Sequence, residues 1–237
     1  MRAATAPDEI GRMDRSAALA HLRANACLAA IPAGALDAFA GIAQCQRLAR
    51  GELLVARGSP APGVALVLKG AIHASSFSDE GHEFAVSMLE FDGLWGLAAT
   101  LDGGGMLRDN RALQAAEILL LPREPFMEII DREPDLYRYF VGVLCRRIRT
   151  AHAIMDELAL CALQQRLPRL LSALTANAAP GERGVPVSQT QEALAALLGV
   201  SRHAVNRELK QLEARGLLSL GYGEIRVRDC AGLKALW

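Results

Sequence analysis

The stretch Thr190–Leu218 reads TQEALAALLGVSRHAVNRELKQLEARGLL and predicts two short helices joined by a tight turn. Thr190 and Ser201 are residue types that cap helix N-termini through a hydroxyl oxygen. Gly199 suits the left-handed conformation that ends a helix, because it has no Cβ to clash. Apolar residues recur at three- to four-residue spacing in both segments, so each helix has one face to bury. The pattern is typical of a helix-turn-helix.

The second predicted helix, 202–214, has one apolar and one polar face. Val205, Leu209 and Leu212 form the apolar face. Arg and Asn can make paired hydrogen bonds to guanine and adenine edges, and Lys suits phosphates, so the polar face favours DNA binding. The alternative is an ordinary helical hairpin with a solvated basic face. The predicted DNA-binding residues are Thr190, Gln191, Ser201, Arg202, His203, Asn206, Arg207 and Lys210.

The segment after these helices favours DNA binding further. Residues 217–220 are mostly apolar, Gly221-Tyr222-Gly223 is a glycine-rich turn, and residues 224–228 alternate apolar with polar. That arrangement predicts a β-hairpin. Helix, turn, helix and hairpin in this order make the winged form of the motif.

The distribution of charge agrees with this interpretation. The chain has 237 residues with 26 basic and 26 acidic side chains, so its formal net charge is zero. Residues 164–237 hold ten Lys/Arg and six Asp/Glu, which leaves +4 there and −4 in the remainder. The positive field therefore coincides with the motif, as a DNA-binding module requires.

Composition excludes several other classes of protein. With 51% hydrophobic and 22% charged residues, the chain has the composition of a soluble globular protein. No apolar run reaches the roughly 20 residues that span a bilayer, and the polar start, residues 1–15, predicts a loose arm rather than a secretory signal. Five scattered cysteines favour a reducing cytoplasm. We find no nucleophile–base set, metal-ligand spacing or phosphate loop, so we expect no enzyme.

The N-terminal part combines helices with short strands. Residues 16–43 have helical periodicity around a Pro32-Ala33-Gly34 break. Between residues 46 and 122, short apolar runs are separated by glycine turns. Strands at such regular intervals predict an antiparallel barrel or sandwich.

A long helix follows, with an apolar stripe that calls for a partner. From residue 137 the apolar positions advance in alternating steps of four and three, which is the repeat of a coiled coil. The alternative is a helix buried on its own domain, since Phe140 and Val143 widen the apolar face. We favour self-association, because two-fold dimers accompany palindromic DNA sites. The predicted dimer contacts are Val141, Leu144, Ile148, Ala151, Met155 and Leu158.

Short motifs follow one another in a fixed order along the chain: Gly51-Glu52, Arg57-Gly58, Leu68-Lys69-Gly70, Asp79-Glu80-Gly81, Phe91-Asp92-Gly93, Leu101-Asp102-Gly103-Gly104, Leu121-Pro122-Arg123-Glu124-Pro125-Phe126, Gln165-Arg166-Leu167 and Gly199-Val200-Ser201-Arg202 with Val205-Asn206-Arg207. Together with the elements above, this ordered set resembles the CRP/FNR superfamily of bacterial transcription regulators. The resemblance implies an α+β fold with a flexible arm (1–15), an effector-sensing antiparallel β-barrel or jelly roll like the cyclic-nucleotide-binding domain (16–133), a dimerisation helix (134–162) and a C-terminal winged helix-turn-helix (163–237). It implies a cytoplasmic homodimer on a palindromic double-stranded DNA site.

The resemblance also bears on the effector. Cyclic-nucleotide binders of this family have Gly-Glu for the ribose and Arg-Ser or Arg-Thr for the cyclic phosphate. This chain has Gly96-Leu97 and Met106-Leu107 in the corresponding segments, with Arg108 nearby as a partial substitute. Leucine accepts no hydrogen bond and methionine carries no charge, so cyclic AMP bound in the usual mode is disfavoured. A pocket of Gly96, Leu97, Met106, Leu107 and Arg108 suits an unknown apolar effector, or none.

Other sensing chemistries remain as alternatives. An iron–sulfur cluster needs about four clustered cysteines, whereas only Cys27 and Cys45 lie early. Haem or gas sensing would use His73 as a ligand, and a redox-sensing regulator of the same family is a further alternative. A regulatory protein acting through protein contacts is a further alternative, and an activator would also contact RNA polymerase. Two further departures from the family are His203, which implies a different target base pair, and Ala162, which predicts a continuous helix at the hinge.

Overall fold

The computed structural model describes residues 11–77, 83–85, 93–176, 184–221 and 223–236. Contacts divide the chain into one unit of residues 1–75 and 86–150 and a second unit of residues 76–85 and 151–237. The helices are α1 Arg15–Ala24, α2 Ala33–Ile42, α3 Leu97–Asp102, α4 Arg123–Arg132, α5 Pro134–Leu160, α6 Leu163–Thr175, α7 Gln191–Leu198, α8 Arg202–Ala214 and α9 Cys230–Lys234. The strands are β1 Gly11–Arg12, β2 Gln44–Leu48, β3 Leu53–Val55, β4 Gly63–Lys69, β5 Ile72–Phe77, β6 Glu83–Ala85, β7 Leu94–Trp95, β8 Asp109–Ala112, β9 Ala116–Pro122, β10 Val185–Val187, β11 Leu218–Gly221 and β12 Glu224–Val227.

The strands of the N-terminal part form two sheets. Five strands lie in the order β1-β2-β9-β4-β7 and four in the order β3-β8-β5-β6. The α+β class with an N-terminal antiparallel jelly roll is confirmed. The described strands of one sheet are not paired with those of the other. Side chains from both sheets instead share one apolar cluster, as in a sandwich or jelly roll. This inter-sheet cluster contains Leu48, Ala65, Ile72, Ala74, Trp95, Ala112, Ala116, Ile118 and Leu120.

Strands β4 and β9 are buried on both faces. Ala65 and Leu120 face the inter-sheet cluster, whereas their neighbours Val64 and Leu121 belong to a second cluster with the helices. Successive side chains of a strand point to opposite faces, so each strand supplies both clusters in turn. This explains why residues 64–68 of β4 and residues 118–121 of β9 are continuous apolar runs rather than alternating ones.

Three aromatic rings hold the helices on the outer face of the five-stranded sheet. Phe39 of α2 stacks on Phe126 of α4 with ring centroids 5.1 Å apart. Phe140 of α5 lies 5.4 Å from Phe126. All three rings are fully buried in this helical cluster. Each such aromatic contact contributes about 0.5–1.5 kcal/mol beyond its buried area, so the start of α5 is fixed to the first unit.

Two predicted boundaries need correction. Residues 11–15 do not belong to the loose arm predicted for residues 1–15, because β1 pairs with β2 and the Asp14 side chain caps α1. The rest of that predicted arm, residues 1–10, lies outside the described residues. The continuous helix predicted through Ala162 is also wrong. α5 ends at Leu160, and Ala162 is extended, with φ −67° and ψ 158°, as the N-cap of α6. The carbonyl of Ala162 accepts the first α6 hydrogen bonds, so a new helix begins without a polar side-chain cap.

In the second unit, the predicted helix-turn-helix and hairpin are confirmed as α7, α8 and the strands β11 and β12. A third strand, β10, was not predicted. It pairs with β12 from Val185↔Val227 to Val187↔Ile225, which gives the sheet order β10-β12-β11. Its three residues are too short to show a clear periodicity, so only pairing with a distant strand reveals it.

Gly63 provides a test of the close packing of β4 against β9. It has a φ of +151°, and a Cβ at this position would lie 2.0 Å from the Leu121 carbonyl oxygen. We predict that Gly63→Ala lowers the free energy of unfolding by about 3 kcal/mol or more. Gly51 is the matched control, since its φ is +81° but no atom lies within 4 Å of its Cβ position. Gly51→Ala should cost only about 1 kcal/mol. Urea unfolding measures both losses, and equal losses would contradict a steric origin.

Candidate DNA-binding interface

The two helices of the motif are set by caps at both sides of their turn. Thr190 Oγ1 accepts from the Ala193 amide at 3.1 Å, and Ser201 Oγ accepts from the Ala204 amide at 3.2 Å. Gly199 lies between them in the left-handed conformation, with φ 64°. All three predicted roles are confirmed. Because both hydroxyl oxygens bind backbone amides, Thr190 and Ser201 position the start of their helices.

One face of α8 is buried and the opposite face is open to solvent. Val205, Leu209 and Leu212 are buried, as predicted. The polar residues predicted to read DNA lie together on the outer face, where Asn206 is half-buried and the others are exposed. They are Arg202, His203, Asn206, Arg207 and Lys210. The structure therefore assembles a basic, amide-bearing helix face of the kind that enters the major groove.

Two of these side chains contact the first helix of the motif. Asn206 Nδ2 donates to Gln191 Oε1 at 3.1 Å, which leaves its carbonyl and its second N–H for a base edge. Arg202 forms an ion pair with Glu192 at 2.8 Å. Both partners of that pair are well exposed, so the pair is worth little and can be exchanged for a phosphate contact.

Glu208 and Gln164 were missed by sequence reasoning. Glu208 is only 3% exposed, although it is charged. Its Oε1 accepts from Gln164 Nε2 of α6 and from Arg207 Nε, both at 3.3 Å. The signal was present in the sequence: Glu208 lies three residues after Val205 and four before Leu212, within the apolar phase of α8. A carboxylate in that phase requires partners.

Further contacts tie the motif to its surroundings in the second unit. Arg166 Nη1 of α6 donates to the Leu198 carbonyl at 3.0 Å, at the C-terminal end of α7, where a cation is favoured by the helix dipole. In the wing, Glu213 Oε1 of α8 accepts from the Leu220 amide at 2.8 Å. The first hydrogen bond joins α7 to α6, and the second joins the wing to α8.

The residues predicted to form the effector pocket are not gathered in one place. Leu97 is fully buried in the helical cluster, because α3 begins at this residue and directs it inward. Met106 packs with Ala61 and Ala99 in a separate small cluster. Leu107 is 74% exposed, and Arg108 is half-buried in a bend rather than in a strand.

Gly96 and Met106 are the two predicted pocket residues that do lie close together. A Cβ built on Gly96 would be 3.9 Å from Met106 Sδ and 2.5 Å from the Gly63 carbonyl oxygen. Of the other predicted pocket residues, Leu97 is a core residue and Leu107 is a surface residue.

The predicted dimer stripe is exposed at most positions. Val141 is 53% exposed, Ile148 56% and Met155 61%, and Leu158 is also exposed. Ala151 is half-buried, and Leu144 packs against the helical cluster of its own chain.

Possible metal ligands and thiols are present in the described part of the chain. No group of three or more His, Cys, Asp or Glu side chains there could hold a metal ion. All five cysteines are free. Burial, together with the neighbouring Glu117 carboxylate, raises the pKa of the Cys45 thiol, so it stays protonated and poorly nucleophilic. His73 lies opposite Arg111 in the β5–β8 pair. No helix among the described residues has the length and hydropathy needed to cross a membrane.

Comparison with known families agrees with this geometry. Residues 165–236 match the family model of the Crp-like helix-turn-helix domain, and residues 45–133 match the cyclic nucleotide-binding domain. The chain belongs to the CRP/FNR family of transcription regulators. As a member of this family it is a DNA-binding regulator and not an enzyme.

Two curated relatives and one solved structure are similar to this chain over most of its length. The cyclic AMP receptor protein of Thermus thermophilus is 29% identical over 189 residues, which is 79% of this chain and 85% of the relative. The HTH-type transcriptional regulator Cmr of Mycobacterium tuberculosis is 28% identical over 200 residues, 84% of this chain and 79% of the relative. The solved structure of the c-di-GMP responsive global regulator CLP from Xanthomonas campestris has a TM-score of 0.69 at 22% identity, covering 83% of this chain and 99% of that one. This last likeness concerns the fold alone.

Arg207 is the side chain for which we predict a role in base recognition. Its side chain is 67% exposed on the outer face of α8. We expect Arg207→Ala to weaken binding to the cognate site by about 1–3 kcal/mol and to change binding to random DNA little, because paired hydrogen bonds to guanine are lost. Fluorescence anisotropy measures both affinities.

Lys210→Ala is the matched control on the same face. It should weaken binding to all sequences alike and reduce the salt dependence, as the loss of a phosphate contact does. Equal losses on cognate and random DNA for Arg207→Ala would show that Arg207 contacts only phosphate.

Proposed function

We propose that this CRP/FNR regulator acts as a homodimer on a palindromic DNA site, and that its N-terminal domain senses an effector other than cyclic AMP. The observation that carries the proposal is the polar outer face of α8. Ser201 caps the start of this helix, and Gln191 of α7 accepts a hydrogen bond from Asn206. A helix presented in this way reads one half-site, and a two-fold dimer reads both halves of a palindrome.

The two apolar faces of α5 support the homodimer. Leu136, Phe140 and Val143 are buried against the first unit. Val141, Ile148 and Met155 point elsewhere and are mostly exposed. An exposed apolar stripe with a seven-residue repeat is the surface that a coiled-coil partner covers. A second copy of the same helix supplies such a partner.

The side chains near Gly96 support an effector other than cyclic AMP. Leu97 cannot accept a hydrogen bond from a ribose hydroxyl, and it is committed to the helical cluster. Met106 offers no charge to a cyclic phosphate. Leaving such ligand groups without partners costs about 1–3 kcal/mol each, and more for the charged group. One relative is itself a cyclic AMP receptor protein, so the proposal rests on these side chains and not on family membership.

The effector is accordingly proposed to be a small apolar molecule, or none. Haem bound at His73 is the alternative, and a Soret absorption band in the purified protein would support it. A protein that activates transcription would in addition contact RNA polymerase.

DNA binding with and without cyclic AMP tests the effector proposal. We expect the protein to bind DNA from its own upstream region more tightly than random DNA over a series of salt concentrations, with the same affinity whether cyclic AMP is present or not. Fluorescence anisotropy gives both values. Site-specific binding only in the presence of cyclic AMP would overturn this proposal and indicate Arg108 as the phosphate contact.

A charge in the middle of the α5 stripe tests the homodimer. We expect Ile148→Glu to convert the dimer to monomers, because two carboxylates would face each other across an apolar seam. Ala153→Glu introduces the same charge at an exposed position outside the stripe and should leave the dimer intact. Sedimentation velocity measures the oligomeric state. An Ile148→Glu protein that remains dimeric would place the interface elsewhere.

A further inference from the structure

The recognition helix contains a buried carboxylate whose role the proposed function leaves unexplained. Glu208 is 3% exposed and lies among the apolar residues that hold α8 in the second unit. Placing a charge there is unfavourable unless it is hydrogen-bonded. A leucine at position 208 would continue the buried apolar stripe without the free-energy cost of burying a charge. Stability of the fold therefore does not explain why a carboxylate is present.

The contacts of Glu208 lead directly to the exposed side chain of Arg207. Both donors, Gln164 Nε2 and Arg207 Nε, bind the same oxygen, Oε1, at 3.3 Å. Gln164 belongs to α6, whereas Glu208 and Arg207 are neighbours in α8. The Glu208 carboxylate therefore binds α6 on one side and the Arg207 side chain of its own helix on the other. The result is a chain of hydrogen bonds from α6 through Glu208 to the DNA-facing surface of α8.

The atom by which Arg207 is held determines which of its donors remain for DNA. A guanidinium has five N–H groups in a planar fork. When Nε–H is directed to Glu208, the two terminal nitrogens form the outward end of the side chain. These two nitrogens are the pair that can bind O6 and N7 of one guanine. Without the carboxylate, the flexible side chain can turn toward a phosphate, where it carries no sequence information.

We propose that Glu208 is a specificity-determining residue that orients Arg207 for paired hydrogen bonds to a guanine, with Gln164 fixing the carboxylate. This inference rests on the proposed function, because it needs a cognate site to be read. The negative charge acts in a second way. A carboxylate near the phosphates opposes binding to DNA of any sequence, so it lowers the affinity for random DNA while it favours the guanine contact.

Loss of the Glu208 charge should weaken binding to the cognate site but not binding to random DNA. This difference distinguishes the proposed role from a purely structural one. We expect Glu208→Gln to lower affinity for the cognate site about tenfold, since a charge-assisted hydrogen bond to Arg207 is replaced by a neutral one. Affinity for random DNA should stay the same or rise by about two- to threefold. A merely structural loss of α8 would lower both affinities together.

The test is a double-mutant cycle with Arg207→Ala, measured by fluorescence anisotropy on three DNAs: the cognate site, the same site with the Arg207 guanine replaced, and random DNA. In the Arg207→Ala background, Glu208→Gln should no longer change the ratio between cognate and replaced sites. Glu192→Gln is the matched control, because it removes a carboxylate paired with Arg202 on the DNA-facing side. It should leave discrimination at the Arg207 guanine unchanged.

Gln164→Ala is a second variant that keeps the charge at position 208. Removing one of the two donors should loosen the carboxylate and lower discrimination about threefold; circular dichroism confirms that each variant is folded. Unchanged discrimination in folded Glu208→Gln overturns the inference, as does an equal loss with and without Arg207. A wild-type protein that prefers no site over random DNA overturns the proposed function itself, which is a different and separately visible result.

Discussion

The structure of the first unit depends on the burial of β4 and β9 on both faces. Side chains such as Ala65 and Leu120 fill the space between the two sheets, and their neighbours Val64 and Leu121 meet the helices. The middle of each strand is covered on both faces, so residues 64–68 and 118–121 are apolar. Lys69 and Glu117 face each other at one end of the strand pair and form an ion pair there. The close approach at Gly63, where a Cβ would meet the Leu121 carbonyl, lies at the end of this pair. Two cores are thus joined by two strands.

This arrangement determines how much of the apolar surface of α5 is buried by its own chain. The helices cover the outer face of the five-stranded sheet through Phe39, Phe126 and Phe140. α5 uses one side for that contact, and Arg147 from the same helix also donates to the Leu94 carbonyl of β7. A helix that packs on a core normally buries a single stripe. α5 has a second stripe, through Val141, Ile148 and Met155, which its own chain leaves mostly uncovered.

The features predicted correctly from the sequence are those with local causes. The caps at Thr190 and Ser201, the left-handed Gly199 and the buried face of α8 each follow from residues within one or two turns of helix. The winged motif and the long helix were recognisable for the same reason. Family resemblance added the order of the domains, and the two family models agree with it.

The features that were missed or wrong depend on contacts between distant segments. Leu97 and Leu107 look alike in sequence, yet one lies in the core and the other in solvent, because α3 turns the chain between them. β10 exists only through its pairing with β12. The break between α5 and α6 at Ala162 could not be predicted, because no polar side chain caps α6 there.

Glu208 is a case in which the sequence marks a residue as unusual but only a contact with another helix explains it. The apolar periodicity of α8 marks the residue as unusual, but only the contact with Gln164 of α6 shows how the charge is tolerated. Replacing buried polar pairs by well-packed apolar residues is often neutral or stabilising, so stability alone does not account for a carboxylate here. A rigid hydrogen bond that limits the orientations of an exposed arginine does account for it. The free energy given up in burying the charge is then offset by discrimination between DNA sequences, which a more stable apolar α8 would lack.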